Sequence, residues 1–263
     1  MIETVSIDDP KDLVARLNSY ENHFIFRGHS CSEWELESTL QRLLPNKSKE
    51  EMQKFENTLI DLYKAKFELY NKTDVKPISK LGWLAQMQHY GAPTQLLDFS
   101  ESPFVALYFA TENIEKNSDS SLCIYAIDYR EINNITIEEF KKFDNEFSLK
   151  YDEIDSQKDT IFESFICRYN MDVLWVSEPA YLNERIERQS GTFLYNSSKT
   201  KKIGDLLESE TYSSVKADKI IFPAKYWENY YMILKNMNIS SKTIYGDLFG
   251  LAKSLKMFVL EYR

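Results

Sequence analysis

The chain has 263 residues, a formal net charge of −9 and a pI of about 5.1, a balance that gains nothing from counterion release on a phosphate backbone and argues against sequence-independent nucleic-acid binding. Its 43% hydrophobic and 14% aromatic content is enough for a sizeable core and excludes a disordered chain. Three cysteines far apart, with no CxxC, exclude a disulfide framework; with no signal-like N-terminus and no apolar run long enough for a bilayer, the expected setting is the cytoplasm, away from membranes.

In chain order, Asp8-Asp9-Pro10 is an N-cap with proline at the first helical position, predicting a short helix to about Tyr20. Phe24-Ile25-Phe26 reads as a buried strand ending at Arg27-Gly28. Ser48 and Glu51 form a capping box before a long amphipathic helix, whose packing face is predicted to carry Met52, Phe55, Leu59, Leu62, Tyr63 and Tyr70. A further helix runs from Ser79 through Trp83 and Met87 and stops at His89-Tyr90-Gly91. Ser102-Pro103 opens the next, carrying Phe104, Leu107, Tyr108 and Ala110. A polar loop over 117–121 leads to a strand over 122–127. Residues 130–170 read as mostly helical, with a second capping box at Thr136 and Glu139.

Strands follow at 173–176, 192–195 and 219–222, the first ending near Pro179 and the last at Pro223, with a short polar turn or helix over 183–189. Two helices close the chain, at about 224–237 and 248–262. The expected architecture is one α+β domain over 1–263, with a central mixed or antiparallel sheet and helical insertions at about 47–75 and 130–170.

The chemistry-bearing residues gather in three stretches. From Trp83 to Phe99, packing accounts for the apolar positions but not for Gln88, His89 and Asp98, which flank a turn set by Gly91 and Pro93. Arg27 ends a strand, where a guanidinium can hold a phosphate or carboxylate bidentately or cap loop carbonyls. Glu187-Arg188-Gln189 enters a strand through Gly191, and Gln189 is a neutral hydrogen-bonding group at that strand's edge. Other chemistries lack their signatures. No GxGxxG, GxxxxGK[ST] or GxSxG occurs, nothing marks Cys31 as an activated thiolate, and His23, His29, His89 and Asp98 have no metal-site spacing, so no metal is expected.

Together these stretches resemble the FRG domain family, named for a Phe-Arg-Gly motif. Phe26-Arg27-Gly28 resembles that motif, and Gln88-His89-Tyr90-Gly91-Ala92-Pro93-Thr94-Gln95-Leu96-Leu97-Asp98 resembles the central signature, continued by Ser102-Pro103 and Tyr108-Phe109-Ala110. Arg188-Gln189-Ser190-Gly191-Thr192-Phe193 is similar to a later element and Ile244–Ala252 to a C-terminal one, so the resemblance runs in order from about residue 24 to 255. The chain departs from the family at Gln95, usually arginine, and at Phe99, usually tryptophan. The family's spread in bacteria and phages implies a role in conflict between them.

A second resemblance is to ADP-ribosyltransferases, through an arginine ending an early strand, an aromatic-rich helix and a Glu/Gln element entering a late strand. It implies an ADP-ribosyltransferase-like sheet and transferase or NAD glycohydrolase activity, with NAD as cofactor and a macromolecular target. The catalytic parts would fall to Arg27, Gln189, Glu187 and His89, and ligand binding to Arg27, Gly28, Gln88, Tyr90, Asp98 and Tyr108. Gln189 stands where a glutamate is expected, and an amide stabilises developing positive charge less well than a carboxylate. Two alternatives stay open: a non-catalytic nucleotide- or protein-binding module using the same residues, and a buried polar network that only shapes the fold.

Overall fold

The computed structural model describes residues 1–71, 76–114, 119–144, 147, 153–168, 171–180 and 184–261. Its elements in chain order are β1 (Ile2–Ser6), α1 (Pro10–Asn18), β2 (Phe24–His29), α2 (Thr39–Leu43), α3 (Lys49–Tyr70), α4 (Lys80–His89), β3 (Leu96–Ser100), α5 (Pro103–Thr111), β4 (Ser121–Asp128) and α6 (Tyr129–Phe143). They continue with α7 (Ile154–Ile161), β5 (Leu174–Ser177), α8 (Glu184–Arg188), β6 (Gly191–Asn196), α9 (Ile203–Leu207), β7 (Ala217–Pro223), α10 (Trp227–Asn236), α11 (Ser241–Tyr245) and α12 (Leu248–Glu261). The strands make one sheet in the order β1-β7-β4-β2-β3-β6-β5, mixed because β1 runs parallel to β7 while the other neighbours are antiparallel. The α+β class and the mixed sheet are as expected.

Local chemistry sets the helix starts. The Asp9 carboxylate accepts from the Lys11 amide ahead of Pro10, and Ser48 and Glu51 close a reciprocal capping box on α3. Ser79 and Ser102 cap α4 and α5. Gly91, with φ of 79°, supplies the left-handed turn after α4 that a residue with a Cβ adopts at a cost.

Several expectations are corrected. Strands β1 and β3 were not expected; β3 is buried apart from Asp98, and that single polar residue breaks the apolar run that would mark it. The packed stripe of α3 is Met52, Glu56, Ile60 and Phe67, with Leu59 and Tyr63 beside it, whereas Phe55, Leu62 and Tyr70 are exposed. A buried carboxylate in the stripe rotates it away from the face that apolar periodicity selects. Thr136 is no cap: α6 begins at Asp128, whose side chain accepts from the Glu131 amide, and Thr136 is buried within the helix. Part of the 117–121 loop, parts of 130–170 and Tyr262 lie outside the described residues.

Thr136 instead helps to protect an edge. Strand β5 ends the sheet, and an unpaired edge invites pairing with other chains. The Asn133 amide donates to the Val176 carbonyl and accepts from its N–H, both at 2.9 Å. The Thr136 hydroxyl donates to the Leu174 carbonyl at 2.7 Å, and Tyr212 Oη accepts the Leu174 N–H at 2.8 Å. Side chains thus complete the backbone hydrogen bonding of this edge.

Three apolar clusters cover the sheet. Phe24 and Phe26 pack with α5, α1 and α10, while Leu96, Trp175, Phe193 and Tyr195 pack with α3, α4 and α7. Ile25, Leu97, Phe99, Tyr125 and Leu194 fill the opposite face. Strand β2 pairs with β4 over six residues but with β3 only at Phe26 and Ser100, so β2 and β3 part beyond that point. The candidate site lies at this split.

Candidate functional site

A cleft of 770 Å³ opens where β2 and β3 separate. Its walls come from both faces of the sheet: Phe26, Gly28, Ala106 and Phe109 from one side, and Arg27, His29, Trp34 and Arg42 from the other. Its volume lies in the range of small-molecule sites. Gly28 is glycine because α5 sits directly on it; a Cβ there would stand 1.9 Å from the Ala106 carbonyl oxygen. The tight crossing of β2 and α5 makes Gly28 part of the wall by way of packing.

Arg27 bridges the split. Its Nη1 donates to the Asp98 carbonyl at 2.5 Å, standing in for a ladder bond that the parted strands do not make. Its Nε donates to His29 Nε2 at 3.0 Å. Among the described residues neither bond uses Nη2, which leaves one amino group for a ligand and makes the expected bidentate clamp a single contact. Burial lowers the guanidinium pKa, the Asp98 carboxylate raises it and Arg42 lowers it, yet a guanidinium remains charged at neutral pH.

His29 follows Arg27 by two residues on the same face of β2. Burial, with the Arg27 guanidinium second, pushes the imidazole pKa down to about 3, so the ring is neutral and accepts from Arg27. Across the cleft, Thr94 donates to Gln88 Oε1 at 2.6 Å, and Gln88 Nε2 donates to Asp98 Oδ2 at 2.7 Å. This chain orients an exposed carboxylate at the cleft. His89 is also held neutral: burial and the Arg185 guanidinium lower its pKa against the pull of Asp247 and Asp98. Arg185 lies over the Tyr245 ring at 4.8 Å and forms part of the wall.

Of the residues singled out in the sequence, the fold brings Arg27, Gly28, Gln88, His89, Asp98 and Gln189 to the cleft. Gln189 is anchored by its backbone, whose carbonyl accepts from Ser100 Oγ at 2.7 Å, while its amide reaches the Ile244 carbonyl at only 3.5 Å. Three residues do not join them. Tyr90 is 69% exposed and outside the cleft wall, Tyr108 is 7% exposed in the core beside Tyr245, and Glu187 points to solvent from α8. Neither tyrosine is therefore placed to face a ring in the cleft, and Glu187 does not join Gln189 in its wall. Gln95 is buried off the cleft, accepting from Ser38 Oγ at 3.0 Å, so the missing arginine at that position takes no charge from the wall.

Sequence reasoning missed His29 as a wall residue, together with Trp34, Arg42 and Arg185. Strand periodicity could have found His29, which shares a face with Arg27. The other three arrive from a loop and two short helix segments that carry no chemical motif.

Among the described residues no helix is long and apolar enough to cross a membrane. No curated protein and no solved structure matches the chain. The FRG domain family model matches residues 22–119. That span runs from the start of β2 through α4, β3 and α5, which supply Arg27, Gly28, Gln88, His89 and Asp98 to the cleft, and over those residues the chain is similar to the FRG domain family.

Proposed function

We propose that the cleft binds a nucleotide of the NAD type, with its anionic part at Arg27. The observation that supports this reading is the convergence of Arg27, Gln88, His89, Asp98 and Gln189 on one cleft, although they are scattered over more than half the chain. If the bound dinucleotide is cleaved, Asp98, the cleft carboxylate that Gln88 orients, takes the part expected of Glu187. It would stabilise the oxocarbenium character that develops as the nicotinamide departs with the electron pair of its bond to ribose. Water or a hydroxyl of a macromolecular target then attacks the ribose carbon, and neutral His89 accepts the proton released. The product is free ADP-ribose or an ADP-ribosylated target. This is the activity of a cytoplasmic effector in bacterial or phage conflict.

Calorimetry with NAD tests binding. Arg27→Ala removes one charge-assisted hydrogen bond, on the order of 1.5 kcal/mol, and weakens binding roughly tenfold. Arg27→Lys rescues poorly, because an ammonium cannot both bridge to Asp98 and reach a ligand. Incubation with labelled NAD, followed by assay for free nicotinamide and modified macromolecules, tests cleavage, and Gln189→Glu raises it by adding a carboxylate. No binding at millimolar NAD would reject the reading. One observation favours a second reading, a structural network: two edges of Arg27 are already spent on His29 and Asp98. In that case Arg27→Ala lowers thermal stability and no nucleotide restores it.

A further inference from the structure

The rim of the cleft at Trp34 has a different character from Arg27. Trp34 is 55% exposed and lines the cleft, whereas Trp83 and Trp175 are buried. Its backbone is fixed at both ends: the N–H donates to the Cys31 carbonyl at 3.2 Å, and the carbonyl accepts from Tyr125 Oη at 3.0 Å. Edge-on to the indole, at 6.0 Å, stands the His29 ring. His29 is 6% exposed, so its ring backs the indole from inside the cleft wall. An exposed aromatic ring on a pinned backbone is a preformed platform.

Carboxylates surround the platform. Glu33, Glu35 and Glu37 line the same rim, alternating with Trp34 and the buried Leu36. Glu35 meets Lys202 in an exposed pair at 2.5 Å, which solvent screens. With Asp98 and Glu112 the wall holds five carboxylates against three guanidiniums, and three of the five carboxylates flank Trp34 in sequence, which makes this part of the wall suited to a cation while Arg27 serves an anion. Neutral His29 separates the Arg27 guanidinium from the indole.

We infer that Trp34 and the flanking glutamates form a subsite for a planar organic cation. The cation stacks on the indole through attraction to the ring's quadrupole, and Glu33 and Glu35 supply the compensating field. Two sources carry that chemistry: an N-alkylpyridinium ring, as in an oxidised nicotinamide nucleotide, and a guanidinium. The subsite rests on the nucleotide reading only where the cation is the pyridinium of a bound dinucleotide.

The test uses the full chain and three probes: the 1-methylnicotinamide cation, neutral nicotinamide of nearly the same shape, and ethylguanidinium. Calorimetry gives affinities, and NMR follows the Trp34 indole N–H. We expect at least one cation to bind roughly tenfold tighter than nicotinamide, with the Trp34 signal moving. Trp34→Ala removes the preference and Trp34→Phe keeps part of it, both with unchanged melting because the side chain is exposed. Glu33→Gln with Glu35→Gln weakens the cation and not nicotinamide. Binding of ethylguanidinium but not 1-methylnicotinamide assigns the subsite to a guanidinium and detaches it from the dinucleotide. Equal affinity for all three probes, or a cation preference that survives Trp34→Ala, overturns the inference. Arg27-dependent NAD binding without cation preference removes the subsite and leaves the nucleotide reading standing; cation preference without NAD binding does the reverse.

Discussion

Glu56→Gln is the sharpest test of how this core is held. Glu56 is 1% exposed within the packed stripe of α3 and lies 3.3 Å from Lys199 Nζ and 3.5 Å from Lys80 Nζ. Tyr195 Oη donates to it at 3.2 Å, and Lys199, with a side chain 4% exposed, donates to that same hydroxyl at 3.0 Å. Burial alone would raise the Glu56 pKa, but Lys199, Lys80 and the hydrogen bonds outweigh it and hold the group below its ordinary 4.5. An amide keeps the shape and leaves the Lys199 ammonium buried without a counter-charge. Breaking a buried pair in this way costs about 3–5 kcal/mol. For a chain of this size that is a drop in Tm of roughly 6–20 °C.

The assay is urea unfolding at pH 7 with thermal melting beside it. Glu56→Leu combined with Lys199→Met should recover part of the loss, because a well-packed apolar pair replaces an ion pair with little net change. The folded pKa lies below the unfolded one, so the carboxylate's contribution is present above about pH 4.5 and is lost as pH falls further. A Glu56→Gln variant within 1 kcal/mol of the parent, or a double variant worse than either single one, would refute this account.

Gly28→Ala places a Cβ 1.9 Å from the Ala106 carbonyl oxygen and 2.7 Å from the Ala110 nitrogen, both backbone atoms that cannot step aside. It should cost at least about 3 kcal/mol by denaturant titration, and a variant of parental stability would contradict the packing of β2 against α5. Asn133→Ala strands the Val176 N–H and carbonyl at the sheet edge, for about 2–4 kcal/mol. Light scattering on heating should show earlier aggregation, and a loss under 1 kcal/mol would deny the edge role. His29, with its pKa near 3 against an ordinary 6.5, binds its proton more weakly folded than unfolded, so stability falls as pH drops below 6.5. The slope approaches about 1.4 kcal/mol per pH unit, and NMR should find no His29 titration between pH 5 and 8. A histidine titrating near 6.5 at this position would refute its burial.

Much of the scaffold is legible in local chemistry. Ser48 with Glu51, Asp9 with Pro10, and Ser102 with Pro103 mark helix starts that depend only on neighbours in sequence, and each cap forms as expected. The five strands expected at 24–26, 122–127, 173–176, 192–195 and 219–222 are present because their apolar runs are short, β-branched or aromatic, and bounded by turn residues. Arg27, Gln88, His89 and Asp98, which gather at the cleft from the Phe-Arg-Gly and Gln-His-Tyr-Gly stretches, stood out because apolar packing has no use for them.

Tertiary structure decided what depends on partners distant in sequence. The face of α3 turned on Glu56, a carboxylate that is buried only because Lys199 and Tyr195 come to it from the other end of the chain. Thr136 looked like a cap and became an edge protector because β5 happens to lie beside it. Tyr90 and Tyr108 sit in the motif yet face solvent and core, since the direction of a side chain follows from where its helix packs. Trp34, Arg42 and Arg185 reach the cleft through a loop and two short segments without periodicity, so nothing local announces them. The cleft itself exists because β2 and β3 pair at one position and then part, and strand register is a property of two segments at once.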